Sequence, residues 1–306
     1  MAPEHIDVAV LGPGGVGGLI AALLARQGNS VEVIAGDQTS RAIAERGLRV
    51  ESSMFGDFSV PVAAATRLTK RVDACFITVK ATQLGEALAG VPANVLGDGL
   101  VIPLLNGIDH VELLRTIYPP GSVVAATIGV ETARVEPGLI RQTSPFALVE
   151  MAASPTNRDR VKRVAEQLKA AGLSVRVRED ETAMLWDKLV MLAPLALLTT
   201  HERAGVGVVR TQRRQDAIAV ITEVAAVGQA EGATRDAETV LRMLDSTPEA
   251  MGSSMQRDQA AGRPLELDAI GGVVLRHAAS RGIPVPATTR LVQELKARGL
   301  GSAPGA

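Results

Sequence analysis

The stretch "VAVLGPGGVGGL", residues 8–19, decides how the fold is read. It sets Gly12, Gly14 and Gly17 at the spacing G-x-G-x-x-G, after the β-branched run at 6–12 and at the head of a helical run over 15–28. A glycine loop between a strand and a helix is the setting a dinucleotide fingerprint requires. Gly12 permits a tight turn, Gly14 lets the backbone approach a pyrophosphate, and Gly17 lets the helix pack closely on the strand. The pyrophosphate is held at the helix N-terminus, where unpaired amides and the helix dipole favour an anion. Gly12, Gly14, Gly15, Val16 and Gly17 are therefore the candidate cofactor-binding residues of this loop.

A second strand is expected over 30–36, and its tip reads Ala35-Gly36-Asp37 with Arg41 one helical turn on. An acid at this tip binds the ribose hydroxyls of NAD, and an arginine nearby accommodates the 2′-phosphate of NADP. Asp37 suits the first and Arg41 the second, so these residues leave the choice open.

Further along, the pattern predicts a helix at 39–46, strands at 48–52, 58–62 and 73–80, a helix over 81–90 and a strand at 99–107. Such alternation implies a parallel sheet with helices on both faces. Three runs between 122 and 150 follow each other across short turns and suggest added antiparallel strands. A helix at 157–171 and a strand at 173–178 close this part, after which helices are expected at 179–200, 210–231, 236–245, 264–281 and 286–298. The expected architecture is α/β: a Rossmann-type dinucleotide-binding domain over 1–178, then an all-helical domain over 179–306. The tail "GLGSAPGA" is expected to fray.

Composition bounds the function. At 306 residues and 46% hydrophobic content the chain can form about two domains. A net charge of −1, with no basic run, argues against nucleic acid or an anionic membrane as partner. Cys75, the only cysteine, permits no intrachain disulfide, which fits a cytoplasmic protein, and its setting "DACFITV" reads as core. The acidic N-terminus does not read as a signal peptide, and no apolar run is expected to reach the length of a membrane span. The four histidines are scattered, so no metal is expected.

"LWDKLVMLAPLALL" (185–198) sets Lys188 in an apolar helical stripe with Met184, Leu185, Leu192 and Leu195. One reading is a snorkelling lysine. Three other segments point elsewhere: "FITVKATQ" with Lys80 at a strand end, "LLNGID" with Asn106-Gly107 at the next, and "SSMQRDQAAGRPLELDAIGG" in the helical half. With the glycine loop and "WDKL", this order resembles the ketopantoate reductase (2-dehydropantoate 2-reductase) family, from Val8 to about Lys296.

The resemblance implies a cytosolic enzyme that uses NADPH to reduce the 2-keto group of ketopantoate to pantoate, for pantothenate and coenzyme A synthesis. Lys188 would be the catalytic lysine that hydrogen-bonds the keto oxygen and donates its proton. Glu266 would orient the substrate hydroxyl and tune the lysine. Ser254 and Asn106 would bind the substrate carboxylate or the neighbouring ribose, with Asn106 and Glu266 also near the cofactor. Lys80 would lie beside the cofactor, and Asp268 would support the substrate site. A ketone receiving hydride develops alkoxide charge, which calls for a cation within hydrogen-bond reach. Two plainer readings compete: Glu266-x-Asp268 as a solvated helix start after Pro264, and Ser254 as a helix cap.

The chain departs from the family at several positions. Leu192 and Ala196 stand where asparagines usually follow the lysine, Leu105 replaces a glutamine, Gly271 an asparagine, and Gly36 the arginine of the second strand's tip. Lost polar contacts relax or redirect specificity, so the expected partner is a small-molecule substrate, a 2-keto acid or related carbonyl bulkier or less polar than ketopantoate. Alternatives are a related reductase of another 2-keto acid or an imine, and a non-catalytic redox-sensing dinucleotide-binding protein. The apolar surface of the helical half also allows a homodimer.

Overall fold

The computed structural model describes residues 4–298, so the C-terminal tail lies outside the described residues. The chain divides into two compact units. One runs to Leu105 and resumes over His110–Glu181; the other takes Asn106–Asp109 and the chain from Thr182 onward. The division therefore falls a few residues later than 178, because the helix Glu181–Glu202 begins almost directly after the last strand. The loop Asn106–Asp109 also groups with the second unit, which a linear boundary does not foresee.

The first unit is built on five parallel strands in the order β5-β2-β1-β6-β7. They are β1 (Asp7–Leu11), β2 (Ser30–Ile34), β5 (Ala63–Ala65), β6 (Ala74–Ile77) and β7 (Leu100–Pro103). Val10 is level with Val33 on one side and Phe76 on the other. β6 and β7 are buried throughout, as strands covered on both faces must be. At the carboxyl edge Gly12 N donates to the Ile34 carbonyl (3.0 Å), Ala35 N to Ala65 (3.0 Å) and Leu104 N to Ile77 (2.8 Å). Ligands of open α/β sheets bind outside this edge, and here it carries the glycine loop.

β3 (Leu48–Ser52) and β4 (Phe58–Val60) leave this sheet and join β9 (Thr132–Glu136) and β10 (Leu139–Gln142). A third sheet holds β8 (Ala126–Gly129), β11 (Leu148–Ala152) and β12 (Ser174–Arg178). The antiparallel expectation holds for β8 with β11, and β10 pairs antiparallel with the unforeseen β9, but β10 also pairs parallel to β3 and β11 parallel to β12. Short turns reveal pairing between neighbours; they carry no information about a partner ninety residues away.

The helix expected over 81–90 is instead a 3₁₀ turn, one α-turn at Leu84–Ala87 and another 3₁₀ turn. The strands β5 and β9 and the helices His110–Ile117 and Ser254–Ala260 are additional to the predicted elements.

In the second unit the predicted helix 210–231 divides at Arg213 into Val206–Gln212 and Arg214–Ala230. The predicted 264–281 helix begins with a π-helical turn, Asp268–Gly272, before Val273–Arg281. Glu181–Glu202 runs unbroken through Pro194 for 22 residues, so by length and composition it could cross a membrane, contrary to expectation. Most of it is buried inside the unit, against Val220, Val224, Ile270 and Leu291, which makes it a core helix.

Cys75 is fully buried on β6, and burial pushes its thiol up to about 12. It is therefore a core side chain held as the neutral thiol. A disulfide exchange reagent added to the native protein is expected to leave Cys75 unmodified at pH 8 and to label it only after denaturation.

Candidate functional site

In the first unit, each loop glycine has its own geometric reason. Gly12 has φ +86°, a conformation strained for any residue with a side chain. A Cβ at Gly17 would fall inside contact distance of Thr78 Oγ1 and 2.5 Å from the Gly12 carbonyl oxygen. A Cβ at Gly15 would lie 2.9 Å from the Thr132 carbonyl oxygen. Gly14 is different: its Cβ would meet nothing nearer than 3.9 Å, so this stretch of backbone borders open space. The helix Gly15–Arg26 has no side-chain cap and no acid in its first turn. Its first amides and the dipole's positive end are therefore offered to an anion, and the cradle fits the pyrophosphate of a dinucleotide.

Thr78, which the motif reading passed over, fastens this loop. Its hydroxyl lies 2.9 Å from the Leu11 carbonyl and 2.8 Å from that of Gly12, and its amide donates to Leu11 (2.9 Å). Lys80 follows two residues later, half-buried, with its carbonyl accepting the Gln83 amide at 2.9 Å. At the second strand's tip Gly36 leads into the helix Asp37–Arg46, and a Cβ on Gly36 would meet no atom within 4 Å. Asp37 and Arg41 are both exposed and form no ion pair with each other.

The second unit holds the other candidates. Lys188 is half-buried on Glu181–Glu202, where the partly uncovered residues Lys188, Met191, Leu192 and Leu195 follow helical spacing and form one stripe. Asp187 beside it is buried and accepts the Thr234 amide (2.7 Å), the Thr234 hydroxyl (2.8 Å) and the Arg235 amide (3.0 Å). This carboxylate ties the turn at 234–235 to the lysine's helix.

Glu266 is only 3% exposed, and its Oε2 accepts a hydrogen bond from Asn106 Nδ2 at 3.0 Å, across 160 residues of sequence. The solvated helix start therefore does not describe Glu266. Asp268 does stand in solvent, where its Oδ1 takes Arg276 at 2.9 Å; Arg276 also holds Asp109 at 2.6 Å. Gly107 (φ +85°) sits so close to the Ala269 carbonyl oxygen that a Cβ would be 2.5 Å from it. These contacts seat the loop Asn106–Asp109 on the Glu266–Ala269 segment, with Asp268 joined to it through Arg276.

Ser254 is not the helix cap: Ser253 is, accepting the Gln256 amide at 3.0 Å and bonding Thr199 at 2.9 Å. The half-buried Ser254 hydroxyl makes no hydrogen bond among the described residues. Asp258 and Arg263 pair at 2.9 Å within the same motif and shape the turn that leads the chain to Glu266. The departures from the family pattern also sort themselves. Ala196 is fully buried, Leu105 is 4% exposed, and Gly271 is packed so that a Cβ would be 2.7 Å from Val292 Cγ2. Of the departures outside the strand tip at Gly36, only Leu192 remains partly open, one turn from Lys188.

Comparison with known proteins identifies the family. Residues 8–155 match the family model described as "Ketopantoate reductase PanE/ApbA", and residues 180–299 match its C-terminal counterpart. The chain is 32% identical over 300 residues to a 2-dehydropantoate 2-reductase of Mycobacterium tuberculosis, covering 95% of this chain and 97% of that protein. It is 28% identical to a PanE/ApbA family ketopantoate reductase structure from Ralstonia eutropha, with a TM-score of 0.84 over 95% of this chain and 97% of that one. A D-mandelate dehydrogenase solved with NADH and anilino(oxo)acetate shares the fold, at TM-score 0.87 and 20% identity over 95% and 98% of the two chains.

Two substitutions separate the ligand role of the loop from its packing role. Gly14→Ala is expected to leave the thermal midpoint in place while weakening dinucleotide binding measured by fluorescence titration. Gly17→Ala, which forces Thr78 and Gly12 apart, is expected to destabilise the fold by about 1–3 kcal/mol. A Gly14→Ala protein that binds dinucleotide as tightly as the parent would remove the loop from the binding site.

Proposed function

The chain belongs to the ketopantoate reductase family of oxidoreductases, and from that premise we propose that it reduces the 2-keto group of 2-dehydropantoate with NADPH. The observation that carries this reading is the buried Glu266 carboxylate held by Asn106, in the same unit as the half-buried Lys188. Burying a carboxylate is costly unless it is hydrogen-bonded or paired, and groups kept at such cost cluster at functional sites.

When bound, NADPH supplies the hydride that the carbonyl carbon receives. Lys188 then has two tasks. Its ammonium hydrogen-bonds the keto oxygen, which stabilises the developing negative charge, and it hands that oxygen a proton as the alcohol forms. Glu266, fixed in direction by Asn106, accepts the substrate's hydroxyl. The unbonded Ser254 hydroxyl is a donor for the carboxylate. The glycine loop holds the pyrophosphate, with Lys80 as a nearby cation. Arg41 supports the 2′-phosphate, and this favours NADPH, whereas Asp37 is the residue that would serve NADH.

One observation favours a second reading of the substrate. Leu192 presents an apolar surface one turn beyond Lys188, against which a less polar 2-keto acid packs better than a hydroxylated one. The proposal is a cytoplasmic enzyme of pantothenate synthesis in the first reading, and a related 2-keto acid reductase in the second.

The deciding measurement is oxidation of NADPH and of NADH with ketopantoate and a panel of 2-keto acids. Turnover of ketopantoate at ordinary efficiency supports the first reading; preference for an apolar 2-keto acid, shifted toward ketopantoate by Leu192→Asn, supports the second. Lys188→Ala is expected to lower kcat/KM by about 10²–10⁴-fold while NADPH still binds. Unchanged turnover in that variant would overturn the assignment of the proton donor.

A further inference from the structure

We infer that Arg67 is a cofactor-specificity residue: with Arg41 it holds the 2′-phosphate of NADPH beyond the end of β2. This inference rests on the NADPH reading above and adds to it a residue from a different strand.

β2 and β5 run parallel with Ile34 level with Ala65, and the Ala35 amide donates to the Ala65 carbonyl at 3.0 Å. β5 ends at Ala65 and β2 at Ile34, so Arg67, in the bend after β5, and Gly36 each follow their strand by two residues and leave the sheet at the same edge. Neighbouring strands lie about 5 Å apart, a gap that an arginine side chain spans easily.

The space at that place is open. No atom lies within 4 Å of where a Cβ on Gly36 would stand. The backbone around Arg67 is nonetheless firmly held. Leu68 is 1% exposed, and its amide donates to the Gly90 carbonyl at 2.8 Å. Arg67 itself is exposed and has no hydrogen bond or ion pair among the described residues, and the same is true of Arg41. Many of the chain's other arginines are committed, such as Arg276 to Asp109 and Asp268, or Arg214 to Asp245.

Charge explains why one arginine is not enough. Asp37 opens the helix after Gly36, so a 2′-phosphate at this tip meets a carboxylate. Arg41 alone only balances Asp37. A second guanidinium makes the pocket net cationic, and its planar donor fork suits phosphate oxygens. The helix carrying Asp37 and Arg41 packs against β5, the strand that leads to Arg67.

The test is fluorescence titration of the full-length protein with NADPH and with NADH. The parent is expected to bind NADPH more tightly. Arg67→Ala is expected to weaken NADPH about ten-fold, the weight of one charge-assisted hydrogen bond, and to shift NADH less than about two-fold. Arg67→Lys should fall between, because the ammonium keeps the charge and loses the fork. An Arg67→Ala protein with the parent's NADPH-to-NADH ratio, whether through no loss or equal loss of both, overturns the assignment while leaving the NADPH reading intact. A parent that binds NADH as tightly as NADPH overturns that reading, and the inference with it.

Discussion

The space at Gly17 is the constraint on which the nucleotide half of this protein depends. The room that a side chain would need there is filled by the Thr78 hydroxyl and the Gly12 carbonyl. This one close approach joins three elements: the end of β1, the head of the Gly15–Arg26 helix and the end of β6. Because Thr78 bonds both Leu11 and Gly12, the loop cannot open outward without breaking contacts to β6. The helix N-terminus is thereby held uncapped at the carboxyl edge of the sheet. Nearby glycines differ in their surroundings: protein fills the space at Gly17, whereas Gly14 borders open space.

The second unit answers a different problem, that of keeping a carboxylate dry and aimed. Glu266 Oε2 accepts a hydrogen bond from the Asn106 amide, brought from the loop that follows β7. The loop carrying Asn106 is only four residues long in this unit, and it is fixed at both ends of its surface. Gly107 lies against the Ala269 carbonyl, and Asp109 shares Arg276 with Asp268. Asp268 thus belongs to the site through the loop it steadies. The π-helical turn at Asp268–Gly272 lies directly after Glu266; such turns are frequent at functional sites because they re-aim side chains without ending the helix.

Much of this was legible in the sequence, and the reasons differ by element. β1, the glycine helix and β2 could be read because apolar periodicity and glycine spacing are local properties. β5 could not, since "AAA" carries little β-propensity and becomes a strand only by pairing with β2. The 81–90 segment has helical composition but no length of unbroken α-helix. Within the site, Lys188, Ser254 and Glu266 were marked by motif, whereas Thr78, Asp109, Asp187 and Arg276 were not. Their significance lies in partners 47 to 167 residues distant, and a single sequence does not display such pairs.

The distribution of departures from the family pattern carries a final consequence. In sequence, the losses at Leu192, Ala196, Leu105 and Gly271 look like a broad change of the substrate site. In the structure Ala196 and Leu105 are sealed in core, and Gly271 is closely packed against Val292 and Leu197. A side chain the size of asparagine at Gly271 would not fit without moving that core. At these positions a larger polar side chain would have to displace packed neighbours, so their polar groups cannot simply be restored one at a time. Leu192 is the exception, since it is half-covered and beside Lys188. In the proposed reading, reaction chemistry and substrate preference fall to different residues on one helix: the half-buried lysine for the bond that is reduced, and the half-buried leucine four residues on for the group attached to it.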